Sequence, residues 1–428
     1  MAGMEGHSHG HGHDIDAPPE FARRLNLALI PFALATIIGV VLLWPSPDPL
    51  GDTGMPQVPR FKATVVGVTE QDCRAGGAPS ATFRCALVTT RLDEGPDEGD
   101  EIEFEFTGGQ GARQFEIGDG VWMAGLPPEQ QGQGGPTYFF DDYQRSFPLI
   151  LLGALFALFV VALSRWRGLA ALAGLAVSIL VLTRFILPAI LEGSSPLLVS
   201  IVGASVIMFA ALYMSHGFTV TTTTAVLGTL ASLAITGALA LLFVELAKFS
   251  GLTSEEATFL QISADQINLN GLLLGGIIIG ALGVLDDVTV TQAAAVWELR
   301  AANPTFGPRA LYRSALRIGR QHIASTVNTL VLAYAGASLP LLILFTISER
   351  NVGGVLTSEV VAEEIVRTLV GSIGLVASVP ITTALAAWVA GNSDGVEKED
   401  GDLSEGVTEG RTRSWRMPRA ERAWRGEK

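Results

Sequence analysis

The chain has 428 residues, of which 49% are hydrophobic and only 16% charged, with a formal net charge of −14. Soluble domains carry about a quarter charged residues, so an ordinary soluble fold is excluded. The acidic balance likewise excludes nucleic acid as a partner.

The chain begins with a polar tail, residues 1–22, in which His7, His9, His11 and His13 alternate with small residues. Imidazoles in such a tract bind zinc, nickel or copper reversibly. A transition metal held there is the one metal expected; no resident cofactor is.

An apolar run from Leu25 to Trp44 follows, giving a first transmembrane helix over 23–44. It is longer than the core of a signal peptide and no A-x-A site follows it, so it reads as an anchor.

Residues 45–147 change character. They carry seventeen Asp/Glu against seven Arg/Lys, a charge that serves solubility or gathers cations. The runs FKATVVGV, TFRCALVTT, DEIEFEF, VWMAG and TYFFDDY predict five short strands separated by turn residues. A small β-barrel of OB type is the expectation, with a sandwich as the alternative. Cys73 and Cys85, the chain's two cysteines, lie here and predict a structural disulfide in an oxidising compartment.

Seven further apolar stretches fill 148–390, near 148–163, 169–190, 196–214, 220–246, 272–299, 322–347 and 367–390. The predicted fold is therefore an all-α polytopic membrane bundle of about eight transmembrane helices, with the β domain inserted between the first and second. Arg23, Arg24, Arg165, Arg167 and the five arginines from Arg300 to Arg320 all fall on one side of this topology. That side is cytoplasmic by the positive-inside rule, which makes the β domain extracytoplasmic and puts both termini inside the cell membrane. Between the stretches 220–246 and 272–299, residues 253–270 suggest a surface amphipathic helix with Thr253 and Glu256 as a capping box. The polar tail 391–428 turns from acidic to basic and ends in arginines mixed with Trp415 and Trp424. It lies on anionic lipid or stays disordered.

The candidate site is in GALGVLDDVTVTQAAAVWEL, residues 280–299. As a helix, 272–299 is about 42 Å long against a hydrocarbon core of about 30 Å, which holds Asp286 and Asp287 at membrane depth. The alternative is an aqueous helix end, which would draw Asp265, Gln266, Asn268 and Asn270 into lipid instead. At 100° per residue Gly276, Gly280, Gly283, Asp287, Thr291 and Glu298 share one face. Glycines so spaced admit a close neighbour, so this face is expected to point into the bundle, with Asp287 as the buried ion or proton site and Asp286 at its edge. His322, Ser325, Thr326, Asn328 and Thr329 supply polar groups on the next span. His322 reads as a proton-relay partner of Asp287 or as an interfacial histidine. Gly336 and Pro340 mark a kink in that span.

No Walker A, HExxH or GxSxG pattern occurs, so no enzyme is expected. Adjacent aspartates on one helix also diverge too far to form a facing catalytic dyad.

The stretches GALGVLDDVTVTQAAAVWEL and IGRQHIASTVNTLVLAYAGASLPLL, with MSHGFTVTTTTAVLGTL and GLTSEEATFLQI, resemble the YibE/F-like multi-pass membrane proteins. The resemblance implies a multi-pass membrane fold and aligns the family's acid with Asp287. Two functions are carried forward: a transporter or exporter coupled through an intramembrane aspartate, or a scaffold whose β domain binds a partner and whose arginine loop docks a separate ATPase or other subunit. The lipid bilayer is a partner in either case; substrate and oligomeric state are not legible.

Overall fold

A computed structural model describes residues 19–46, 58–72, 84–108, 113–125, 138–264, 266–347 and 351–392. The histidine tract, Cys73 and Asp265 lie outside them. Helix α1, Pro19–Leu42, leads to strands β1 (Arg60–Asp72), β2 (Arg84–Leu92), β3 (Glu101–Gly108), β4 (Gly120–Gly125) and β5 (Tyr138–Tyr143).

All strand pairs are antiparallel, in the order β3-β2-β1-β4-β5. Alternation sends Ala63, Val65, Val88, Val121 and Met123 to one buried side. The sheet curls, because Phe104 and Phe106 of β3 meet Phe140 of β5 at ring distances of 5.6 and 6.3 Å. Cys85, on β2, is disulfide-bonded.

Tyr138 is buried at the edge of this core and donates to Asp97 Oδ2 at 2.5 Å. Burial first, and then the Asp97 hydrogen bond, push its phenol from 10.0 up to about 12. Since the folded value lies above the unfolded one, this contribution is complete below pH 10 and is lost as pH rises from 10 through 12. The β domain should therefore melt at a lower temperature above pH 10. Tyr138→Phe should flatten that alkaline limb and cost about 1 kcal/mol at neutral pH, as read from thermal melts across pH 8–11.

The remaining chain is helical. Helix α2 (Ser146–Val181) continues through a π-helical turn (Leu182–Ile186) into α3 (Leu187–Leu191). After these come α4 (Pro196–His216), α5 (Val220–Ala247), the short α6 (Glu255–Ser263), α7 (Leu269–Ala302), α8 (Pro308–Ala337), α9 (Leu339–Ile347), α10 (Val352–Leu356) and α11 (Glu359–Gly391). Within 146–191 the backbone leaves helical geometry at Arg165 (φ 52°, ψ −126°), where the sequence reading places a loop between two spans. Among the described residues six helices are long and apolar enough to cross a membrane, or seven if α8 and α9, bent by 61°, form one span.

Caps set the ends. Thr219 accepts from Thr222 N at the start of α5, and Asn268 from Gly271 N at the start of α7. Helix α6 is shorter than expected and is capped by Ser254, whose Oγ accepts from Ala257 N. The Thr253 hydroxyl instead donates to Glu363 Oε2 at 2.9 Å, which corrects the predicted capping box. Buried Arg300 closes the turn from α7 to α8 by donating to the carbonyls of Pro304 and Phe306.

Helices α5 and α11 pack antiparallel through reciprocal contacts. A Cβ on Gly228 would sit 2.2 Å from Thr382 Oγ1, and one on Gly374 would sit 1.9 Å from Thr236 Oγ1. Ser232 and Ser378, fully buried, lie midway. The two segments also repeat in sequence. GTLASLAITGALAL (228–241) and GLVASVPITTALAA (374–387) share Gly, Ala, Ser, Ile, Thr, Ala, Leu and Ala in register. The same G-x3-S-x3-T seam thus runs in opposite directions on two helices, and self-comparison at an offset of 146 residues finds it.

Candidate functional site

Helix α7 packs across both arms of this repeat. Thr289 Oγ1 lies 2.7 Å from Thr229 Oγ1 of α5, and Gly237 of α5 faces Ile278. Counting along these pairs puts Asp286 within a turn of the level of Ser232 and Ser378, at the middle of the α5/α11 seam. At the other end Gly271 and Gly275 let α4 approach, against Pro196 and Ser200.

The buried face of α7 is its bulky one, bearing Ile278, Leu282, Leu285, Thr289, Ala293 and Val296. Asp286 sits at its edge, half-buried. Its carboxylate meets the Thr229 hydroxyl, while Oδ1 is buried with no hydrogen-bond partner. Among the described ion pairs none involves Asp286. An ionised carboxylate at the centre of a membrane helix costs roughly 2.5–3.5 kcal/mol on insertion scales, so an acid kept there without a cationic neighbour calls for a functional explanation.

Other buried polar atoms without partners lie along the same helices. On α11 these are Glu363 Oε1, Arg367 Nε, Ser372 Oγ and Thr382 Oγ1; on α7 Trp297 Nε1 joins Asp286. Native proteins leave few such groups unpaired. Ordered along the α5 pairings, they step from the β-domain end of α11 at Glu363, past Asp286, to Trp297 near the opposite end. Sequence reasoning missed Glu363, Ser372 and Thr382; the signal available was the polar spacing along α11.

The predicted face of α7 does not point into the bundle. Gly276, Gly280, Gly283, Asp287, Thr291 and Glu298 are all exposed on the single chain, and a Cβ on Gly276 or Gly283 would meet nothing within 4 Å. The close approach to α4 uses Gly275, one residue and about 100° away from Gly276. The assignment of the buried carboxylate therefore moves from Asp287 to Asp286. On α8, His322, Ser325, Asn328 and Thr329 are exposed as well, and no described hydrogen bond joins His322 to either aspartate. Asp286 thus stands with Thr229 and Thr289 rather than with Thr291, His322 and Asn328.

Among the described residues no group of three or more His, Cys, Asp or Glu side chains is arranged to hold a metal. A cleft of about 630 Å³ between α1 and α4, lined by Leu29, Ile30, Phe209 and Tyr213, is apolar and open. It does not reach Asp286.

The YibE/F-like protein family matches residues 152–392, more than half of the chain and all of the helices that surround Asp286. No curated protein matches, and no solved structure does.

Proposed function

Because the chain belongs to the YibE/F-like family through its helical bundle, we propose that this bundle is a proton- or ion-coupled membrane transporter or exporter centred on Asp286. Its topology in this reading has eight spans, with 146–191 divided at Arg165 and α8 with α9 counted once. Both termini are cytoplasmic and the β domain, an OB-like barrel, is outside the cell membrane.

The observation that carries the reading is the Asp286 carboxylate, buried beside Thr229 with Oδ1 unpartnered. An acid at membrane depth marks an ion or proton pathway. Two further features support it. Coupling sites in transporters lie where inverted repeats meet, typically near the middle of the membrane, and Asp286 is level with the middle of the α5/α11 seam. The unpartnered oxygens of Glu363, Ser372, Asp286 and Thr382 are acceptors and give a moving proton or cation successive places to pause.

The test is reconstitution of the full chain in vesicles loaded with a pH-sensitive dye, under imposed gradients of protons, Na⁺, K⁺ and Zn²⁺. The reading expects protein-dependent proton movement tied to at least one second ion. A bundle that moves neither protons nor cations under any of these gradients is not a transporter of this kind.

A further inference from the structure

The outward face of α7 poses a separate problem. Asp287 is exposed midway along a helix of 34 residues, next to Gly283 and Thr291 on the same strip. On α8 the groups His322, Ser325, Asn328 and Thr329 are exposed too. The two helices run antiparallel, with Gly280 facing Tyr334 and Gln292 facing Gly319. Interpolating between those contacts sets Asp287 level with Ser325, within a turn of both His322 and Asn328. A face at membrane depth with a carboxylate on one helix and an imidazole and amide on the next is poorly matched to lipid.

Nothing else described in the chain covers it. Helix α1 packs on α4 and α5, and α2 on α4. We infer that this α7/α8 face is the contact between two copies of the chain, related by a two-fold axis along the membrane normal, with Asp287 of each copy against His322 and Asn328 of the other. Such an axis preserves depth. It sets each acid opposite the basic and amide groups at its own level, and one patch supplies both halves of the pairing. Gly276 and Gly283, with nothing within 4 Å of an added Cβ, then allow the close helix approach that membrane association requires. The two neighbouring aspartates take different roles: Asp286 serves within a chain and Asp287 between chains.

The test uses the full chain in native membranes. Two differently tagged copies are co-expressed, one carrying Gly283→Cys and the other Asn328→Cys, and then oxidised. A mixed-tag disulfide band at twice 45.1 kDa is expected, with none when Asn328→Cys is replaced by Phe156→Cys on the remote exposed face of α2. Asp287→His and His322→Asp should each weaken dimerisation, read by stepwise photobleaching in liposomes, by at least tenfold, and the double exchange should restore it. Single-step bleaching of the unmodified chain would overturn the inference. So would crosslinking of Gly283→Cys only to a different membrane protein, or rapid labelling of Asp287→Cys by a membrane-impermeant thiol reagent. None of these outcomes depends on ion flux, so the transport reading stands or falls separately.

Discussion

Asp286→Asn should reduce coupled flux in vesicles by roughly tenfold or more, since it removes the ionisable group from membrane depth, while the melting temperature of the protein is unchanged or higher. The substitution keeps the shape of the side chain and leaves the amide oxygen to meet Thr229. It removes only the capacity to bind and release a proton or pair with a cation. Asp287→Asn, on the exposed face, should leave flux within about threefold, because a residue outside the pathway contributes no coupling free energy. If the two variants behave alike, or if Asp287→Asn alone stops transport, the assignment of the site to the Thr229/Thr289 side of α7 is wrong.

The second large effect concerns the α5/α11 seam. Gly374→Ala should destabilise the bundle by about 1–3 kcal/mol, the range for an overpacked contact. Its new methyl would fall 1.9 Å from Thr236 Oγ1, and that hydroxyl is tied to Ser232 O at 2.9 Å. Gly228→Ala makes the mirror-image clash with Thr382 Oγ1, but that oxygen has no hydrogen bond to lose. The smaller loss is therefore expected at Gly228. Adding Thr236→Ala to Gly374→Ala should recover most of the stability, because it deletes the group that is struck. Thermal unfolding in detergent reads all three, and equal losses at the two glycines would show that the seam is not packed as described.

The long apolar helices were legible because runs of about twenty apolar residues stand out locally, and their breaks fall at Arg165 and between Gly336 and Pro340. The five strands were legible for the same local reason, alternation between turn residues. What could not be read was which side of α7 faces inward. Both sides carry small or polar residues, and adjacent positions such as Gly275 and Gly276, or Asp286 and Asp287, point about 100° apart. The choice is made by the partners: the small residues that open the core are on α4, α5 and α11, so α7 fills it with Ile, Leu and Val. Tertiary information of that kind is absent from any one helix. The α5/α11 repeat, by contrast, was present in the sequence and is visible only when the chain is compared with itself.

One consequence of that repeat is that the seam positions of its two halves correspond one to one. Each carries Gly, Ser and Thr at intervals of four, and each glycine receives the other helix's threonine. A chimaera with residues 228–241 copied into positions 374–387 would keep Gly374, Ser378 and Thr382 in place and lose the proline at 380. Such a chain carries one motif twice, read once from either surface of the membrane.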